Sequence, residues 1–440
     1  MLDIKYIRDN AEEVKKNCEL RNIKCDINRL LLLDVKKRKI QKEAENLNAE
    51  KNKLNDLVRS ASPDERAKFI EQGKAVKEKL EKIKPDLEEA EKEFKLISNK
   101  VPNAISSDTP IGPDESGNKV IEKVGEPKKF DFEPKEHWQL GEELDIIDIP
   151  RAAKVSGSRF NYLKGEAALL EFALIQHCFS ILTNEKILKE IIDKNNLKIS
   201  SKPFVPVVPP VLIKPDSMDR MARLEPREER YHTAADDMYL VGSAEHTLGA
   251  MYMDETLEED KFPLRYIGFS TAFRREAGSY GKDMKGILRV HQFDKLEMES
   301  FTLPENSLAE QDFIVAIQKY LIGSLGLAYQ VVAICTGDMG GPDYRQIDIE
   351  TWMPGQNKYR ETNTSDLMND YQSRRLNTRV KRKDGKTEYV HMNDATAYAI
   401  GRTIIAIMEN YQRSDGSIVI PEVLKKYLPE GMEVIKRKKT

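Results

Sequence analysis

The sequence predicts an α+β protein with a mainly antiparallel sheet flanked by helices, plus an N-terminal long antiparallel α-helical hairpin of coiled-coil type. Three observations lead there. Apolar residues recur at heptad spacing through much of the first hundred positions, and a stretch dense in Pro, Gly, Ser and Asp follows. The remainder then mixes helical and β-rich segments without regular βαβ alternation.

From about residue 27 to 100 the chain is rich in Lys, Glu, Leu and Asn, with no glycine before Gly73. Leu33, Ile40, Leu47 and Leu54 form one heptad row. At positions 60–63 the pattern breaks: Ser62 suits a helix cap and Pro63 the first helical position. A second helix then places Phe69, Val76, Ile83, Ala90 and Ile97 in one row and Leu80, Leu87 and Phe94 in its partner. Each helix of roughly 30 residues spans roughly 45 Å, so the hairpin projects as an arm. The companion row Lys37, Ala44, Lys51 and Val58 is half polar, which makes the seam narrow. Pro85 deletes one backbone donor and predicts a bend around residues 81–85.

Residues 102–138 read as a linker, which divides the chain into an N-terminal domain at 1–101 and a larger domain at 139–440. In the larger domain ALLEFALIQHCFSIL reads as helix, and FVPVVPPVLI, YQVVAIC and RQIDIETWM read as strands. With 440 residues, 33% charged and 40% hydrophobic, and no run long enough to cross a bilayer, a soluble protein is expected and no membrane partner. The charged start MLDIKYIRDNAEEVKK carries no apolar signal core, so a cytoplasmic location is expected. Cys18, Cys25, Cys178 and Cys335 form no C-x-x-C pair, so no structural zinc is expected. A net charge of −3 means that any nucleic-acid binding must rest on local patches. The closing KRKKT reads as a solvated tail, with contact to RNA phosphates left open.

The chemistry concentrates in FRREAGSYGKDMKGILRVHQF, residues 273–293. Strand alternation projects Arg274 and Glu276 from one face, and a returning strand HQFDKLEME puts Phe293, Lys295 and Glu297 on a common face. An antiparallel pair would thus offer a phosphate ligand, an aromatic platform and a carboxylate on one surface. The glycine-bearing loop between, with Lys282, Lys285 and Arg289, suits polyphosphate or an RNA end. On residue chemistry alone this stands level with a solvated hairpin tip. GRTIIAIMENYQ puts Arg402 at a helix start, where it would meet an anion or simply solvent. Glu361 and Thr364 offer a carboxylate and a hydroxyl to a hydrated magnesium ion, or line a polar loop. His291 is a lone histidine, and lone histidines are more often structural than catalytic. Neither G-x-x-x-x-G-K-[ST] nor G-x-G-x-x-G occurs.

The ordered series MLDIKYIRDNAEEV, the helical hairpin, IGPDESGN, AAKVSGSRFNYLKGEAALLEFALI, VVPP, SAE, FRREAGSYGKDMKGILRVHQFDKLE, ETNTSDLMNDYQSRR and GRTIIAIMENYQ resembles the bacterial-type seryl-tRNA synthetases, class II aminoacyl-tRNA synthetases, over essentially the whole chain. The HIGH and KMSKS signatures of the other synthetase class are absent. The resemblance implies a class II catalytic domain at 139–440 and a tRNA-binding domain at 1–101 with its arm at about 27–100. It implies ATP-dependent attachment of L-serine to serine tRNA through a seryl-adenylate, releasing AMP and pyrophosphate, with selenocysteine tRNA a further acceptor.

Residue by residue, the resemblance puts Arg274 on the α-phosphate and the serine carboxylate, Glu276 on the adenine amino group and Phe293 against adenine. Arg402 would hold the γ-phosphate; Arg275, Val290, Glu361, Thr362, Asn363 and Thr364 would complete the ATP site, with Glu361 and Thr364 at its Mg2+. Serine would meet Ser243, Ala244, Glu245, Arg274, Glu297 and Thr396. Pro210 would be the proline of motif 1, which implies a homodimer. Lys36, Lys37, Arg38, Lys39 and Lys42 would form a tRNA-binding patch, although a charged helix face is otherwise mostly solvated. The chain has SAE where the family commonly has T-x-E, and HMNDATAYAIGR in place of T-L-N-x-S, so either Thr396 or Asn393 would contact serine. Two alternatives stand beside this reading: a relative that activates another small amino acid or loads a carrier protein, which the long arm disfavours, and a non-catalytic RNA-binding relative. The latter predicts lost ATP contacts, whereas Arg274, Glu276, Phe293, Glu361 and Arg402 are all present.

Overall fold

The computed structural model describes residues 1–277 and 285–437, in two compact units, Met1–Ala104 and Ile105–Thr440. In the first, short helices Ile4–Asp9 and Ala11–Leu20 precede α1 (Ile27–Ser60) and α2 (Pro63–Ser98). The Asp26 side chain accepts from the Arg29 N–H at 2.8 Å and so satisfies one orphan donor at the start of α1. Ser62 and Glu65 form the capping box of α2, with Pro63 in its first turn, as the residue types at 62–65 predict. Leu47 and Leu54 bury against Val76, flanked by Phe69, Leu80 and Ile83, which is the heptad seam. Lys37, in the half-polar row, places its ammonium 4.3 Å from the Phe94 ring centroid, so even that row packs. α2 runs uninterrupted through Pro85. Ile7, Val14, Ile27, Leu30 and Val101 form the core at the hairpin's base.

The second unit is built on an eight-stranded sheet. Its strands are β1 (Lys119–Val124), β2 (Val205–Val207), β3 (Leu264–Phe273), β4 (Gln292–Thr302), β5 (Tyr329–Ala333), β6 (Arg345–Met353), β7 (Lys358–Asn369) and β8 (His391–Ala399). The spatial order is β1-β5-β6-β7-β8-β4-β3-β2, antiparallel throughout except that β2 lies parallel to β3. The stretch read as a linker therefore contains a sheet edge. KVIEKV pairs with β5, and the Asn118 side chain accepts from the Cys335 N–H at 2.9 Å, so the turn-rich flanks of β1 are folded into this unit. The strand escaped the sequence reading because an edge strand exposed along nearly its whole length shows no apolar alternation.

Helices α3 (Glu166–Leu182), α4 (Glu185–Lys194), α5 (Glu245–Leu248), α6 (Ser307–Ser324) and α7 (Ile400–Tyr411) complete the frame. Leu296 and Met298 of β4, Ile347 and Ile349 of β6 and Ala395 of β8 share one core with Leu170 and Leu174 of α3, Ile317 and Leu321 of α6 and Ile404 of α7. Alternation along each strand sends the intervening polar residues to the opposite face, which is where the chemistry lies. One charged pair is sealed in completely: Arg265 of β3 meets Glu310 of α6 through two hydrogen bonds of 2.6 and 2.7 Å. Its Nη1 donates to both the Ser200 and Lys202 carbonyls. With all three guanidinium nitrogens bonded, this pair ties α6 to β3 across the sheet. Among the described residues no single helix is long and apolar enough to cross a membrane.

Candidate active site

β3 and β4 pair in the register Phe293 opposite Ala272 and Glu297 opposite Gly268. Gly268 matters because a Cβ there would lie 2.7 Å from Leu248 Cδ1, so only glycine lets α5 settle on β3 and bring Glu245 over the polar face. The expectation that Arg274 and Glu276 alternate along a strand needs correction. β3 stops at Phe273, and Glu276 adopts a left-handed φ of +51°. Both side chains still reach the same cavity, Arg274 steadied by its Nε–H donating to the Gly242 carbonyl at 3.1 Å and Glu276 by a 2.7 Å pair with Arg289.

Strand parity would put Glu361 and Thr364 on opposite faces of β7. A bulge between β6 and β7 removes the conflict: Ile349 pairs with Asn363 but Glu350 pairs with Glu361, leaving Thr362 as the extra residue. A second bulge, with Ala397 as the extra residue of β8, likewise brings Thr396 and Ala399 to the same cavity. The wall carrying Ile287, Leu288 and Val290 is fixed from behind. The Ile287 N–H donates to His137 Nε2 at 3.1 Å, and His137 Nδ1 lies 3.2 Å from Glu409 Oε1, so the imidazole proton sits on Nδ1. Gly286, at φ +78°, is what lets the chain pass His137.

The result is a cavity of about 300 Å³ that gathers Glu245, Arg274, Glu276, Val290, Phe293, Glu297, Glu361, Thr362, Thr364, Thr396 and Arg402. A larger, shallower hollow of about 800 Å³, lined by Lys186, Lys189 and Lys198 among others, holds none of the expected residues, so volume alone does not locate the chemistry. Arg274 lies 5.3 Å from the Phe293 ring centroid, and Arg402, in the first turn of α7, pairs with Glu361 at 3.0 Å. Thr364 Oγ1 donates to Glu361 Oε1 at 3.4 Å.

Other expected residues lie elsewhere. Ser243 and Ala244 are buried behind the cavity, where Ser243 Oγ accepts from Lys295 Nζ at 3.2 Å. The Arg275 guanidinium lies 6.0 Å from the Tyr231 ring. Asn363 donates to the Thr396 and Ala397 carbonyls, tying β7 to β8. Of the two serine-contact candidates on β8, Thr396 lines the cavity; Asn393, fully buried, shares the parity of Ala395 and faces the helical layer. His291 is structural: it accepts the Arg274 N–H through its carbonyl at 2.9 Å and packs between Phe160 and Tyr231. Lys285 stacks on Trp138 at 4.4 Å, and Lys282 lies outside the described residues. Pro210 is exposed near Val208, itself 82% exposed, and its carbonyl accepts from Thr247 Oγ1. In the first unit Lys36, Lys39 and Lys42 are exposed, while Arg38 pairs with Asp34 at 3.1 Å.

The sequence reading missed Arg223 and the carboxyls Glu299, Asp366 and Asp394 beneath the cavity, and how Lys295 pairs there. Arg223 sits 2.8 Å from Glu245, 3.1 Å from Asp394 and 3.9 Å from Asp366, and Lys295 sits 2.6 Å from Glu297. Glu299, Asp394 and Asp366 occupy adjacent register positions across β4, β8 and β7. Two cations cannot neutralise so many buried carboxyls, so the carboxyls divide into two states. Burial pushes Glu299, Asp394 and Asp366 well above the usual range, with Arg223 opposing. Burial also lifts Glu297 to about 7, with Lys295 opposing. Glu245 goes the other way: burial would raise it, but Arg223 and Lys295 hold it at about 2. Glu361, half open to the cavity, is drawn below the usual range by Arg402 and Arg274 against its desolvation. One end of the cavity is therefore cationic and aromatic, and the other carries one ionised carboxylate beside one poised near neutrality.

Residues 1–105 match the family described as the seryl-tRNA synthetase N-terminal domain, and residues 228–411 match the class II tRNA synthetase core domain of the G, H, P, S and T enzymes. The chain is 40% identical over 445 residues to the serine–tRNA ligase of Dictyoglomus turgidum, covering all of both chains. It is 39% identical to that of Treponema denticola, covering 97% of this chain and 98% of the relative. Among solved structures it is similar to the seryl-tRNA synthetase of Pyrococcus horikoshii complexed with ATP (TM-score 0.86, 34% identity, all of both chains). It is also similar to the cytoplasmic serine–tRNA ligase of Naegleria fowleri in complex with AMP (TM-score 0.81, 26% identity, covering 100% of this chain and 99% of the other).

Proposed function

The chain belongs to the seryl-tRNA synthetase family, and from that premise we propose that this serine–tRNA ligase uses ATP to charge serine tRNA in two steps, through a seryl-adenylate. One observation carries the reading: a single cavity joins Arg274, Glu276, Phe293, Glu361 and Arg402 at one end to Glu245, Glu297 and Thr396 at the other. The first end suits ATP and the second a small amino acid with an ammonium and a hydroxyl.

In the first step a serine carboxylate oxygen attacks the α-phosphorus, and the bond to the bridging oxygen breaks to release pyrophosphate. Arg274, between the two ends, holds the carboxylate and the α-phosphate together, while Phe293 and Glu276 fix adenine and Arg402 holds the γ-phosphate. The gain comes from alignment and from cations placed where negative charge develops. In the second step the terminal ribose hydroxyl of the tRNA attacks the seryl carbonyl, and AMP leaves. Glu361 and Thr364 present oxygen donors of the kind that a partly hydrated magnesium ion takes, and these would hold Mg2+ where it neutralises phosphate charge. Glu245 takes the serine ammonium and Glu297 accepts from its hydroxyl. That acceptor disfavours alanine and glycine, which leave it unpaired.

The helical arm of residues 27–100 is assigned to tRNA, with Lys36, Lys39 and Lys42 as exposed cations. A homodimer through the Pro210 segment is supported by the apolar, exposed side chains of Val205 and Val208 beside it. We place the enzyme in the cytoplasm and include selenocysteine tRNA as an acceptor of serine. The test is exchange of labelled pyrophosphate into ATP, with serine, alanine, glycine and threonine compared, followed by charging of serine tRNA. Exchange driven by serine alone is expected; no serine-dependent exchange by folded protein would overturn the reading.

A further inference from the structure

A second cavity of about 460 Å³ shares part of its wall with the first and is lined by residues of 223–230 and 242–246 together with Arg274, Glu276 and Arg289. Its charges are uneven. Two couples neutralise themselves, Arg223 with Glu245 at 2.8 Å and Arg289 with Glu276 at 2.7 Å. Arg230 and Arg274 remain, each using its Nε–H on a backbone carbonyl, Arg230 on Arg223 at 2.9 Å and Arg274 on Gly242 at 3.1 Å. Neither forms an ion pair with a carboxylate among the described residues; Glu229 also lines this cavity, and Glu361 acts on Arg274 from the first.

Gly242 holds these two arginines close. Its carbonyl takes Arg274, and a Cβ on it would lie 3.4 Å from Arg230 Nη1 and 3.3 Å from His246 Cε1. His246 adds no charge: its Nδ1 accepts the Gly242 N–H at 3.2 Å, and burial pushes its pKa down to about 3. Burial and the neighbouring guanidinium groups of Arg274 and Arg223 push Arg230 below its ordinary range, a repulsion that an anion between them would relieve.

We propose that Arg230, together with Arg274, forms a second anion subsite that receives a phosphate group belonging to a partner outside the first cavity. Two partners in the proposed reaction carry such a group. One is the tRNA 3′ end, whose terminal ribose must reach the α-phosphate side of Arg274 with its own phosphodiester attached. The other is pyrophosphate on its way out. The inference rests on the two-step reading above and adds a residue to it. Guanidinium groups grip phosphate at two points, which a cavity of this size accommodates.

The test uses the full chain with Arg230→Gln and Arg230→Lys, and Arg227→Gln as control, since Arg227 is exposed and, among the described residues, its side chain pairs with Glu225 alone, at 3.0 Å. KM for pyrophosphate is measured in serine-dependent exchange, and KM for tRNA in charging over a salt series. If the group is the tRNA phosphodiester, R230Q raises KM for tRNA about fivefold beyond any rise for pyrophosphate and flattens the log–log salt slope by about 0.7, the loss of one single-strand phosphate contact. If it is pyrophosphate, that KM rises about fivefold instead. R230K recovers part of either loss. Both constants matching those of R227Q would overturn the proposal. Should R230Q lose its cooperative melting transition, R230K carries the test, because losing the two-point grip predicts a rise of about twofold or more in one constant. No rise there would overturn the proposal as well. Absent serine-dependent exchange in the wild-type chain is a different result, which overturns the two-step reading itself.

Discussion

Arg223→Met probes the charge arrangement beneath the serine end. The guanidinium, 15% exposed, stands 2.8 Å from Glu245 and 3.1 Å from Asp394, and methionine keeps much of its bulk while removing its charge. Removing one partner of a buried pair costs about 3–5 kcal/mol, because the other charge is left uncompensated. The shift of Glu245 from 4.5 to about 2 converts independently to roughly 3 kcal/mol, part of which belongs to Lys295. Urea denaturation is therefore expected to show R223M less stable by about 3 kcal/mol. In pyrophosphate exchange, KM for serine rises tenfold or more while KM for ATP moves less. The pH dependence has a definite sign. A depressed carboxyl contributes stability above the ordinary carboxylate range and loses it only as pH falls toward its folded value, here about 2. Without Arg223 burial raises the Glu245 carboxyl instead, and a raised carboxyl regains stability as it takes up its proton, so the deficit of R223M narrows as pH drops from 7 to 5, where the wild type stays flat. Wild-type stability with wild-type serine KM would refute the account; equal rises in both KM values would refute the assignment of Glu245 to serine.

Glu297→Gln tests the second carboxyl. With its folded value raised to about 7, protonated Glu297 contributes stability that is lost as pH rises through 7, whereas serine needs the ionised acceptor. KM for serine should fall between pH 6 and 8 in the wild type and stay flat in E297Q, which should also discriminate poorly against alanine; a parallel pH profile in the variant counts against the role. Gly286→Ala would place a Cβ 1.9 Å from His137 Nε2 at a φ of +78°, displacing the Ile287–Val290 wall. KM for ATP is expected to rise about tenfold with KM for serine less affected, since an alanine in the left-handed region adds about 1 kcal/mol of strain to the clash. An unchanged KM for ATP would separate that wall from the nucleotide. Replacing the outer hairpin between about residues 36 and 92 with a short turn should preserve exchange and weaken tRNA charging; equal loss of both in a folded protein would contradict the division of labour.

The hairpin was legible because its determinants are local. Leu47, Leu54 and Val76 bury where heptad spacing puts them, and the cap at Ser62 closes within four residues. The polar face of β4 was legible for the same reason, since Phe293, Lys295 and Glu297 follow from parity alone. What depends on neighbours was not. The bulge at Thr362 arises from how β6 and β7 pair, and no property of ETNT announces it. Arg223 reads as one arginine among four in a polar loop; its meaning comes from Glu245, Asp394 and Asp366, which three other segments supply. The end of β3 at Phe273 is likewise a backbone event that residue alternation could not foresee.

On the proposed reading, β4 carries the ring that meets adenine, the lysine and the carboxylate that meets serine on a single strand. At about 3.4 Å per residue, four residues set Phe293 and Glu297 about 14 Å apart along the strand. The distance between nucleotide and amino acid is thus a property of strand pitch, and no side chain has to bend to set it. The strand works as a yardstick with graduations at every second residue. A change at 297 re-cuts the far mark without moving the near one, whereas a one-residue slip in the pairing of β4 turns both marks into the hydrophobic layer at once. The choice of amino acid is open to gradual change on this frame, and the spacing is not.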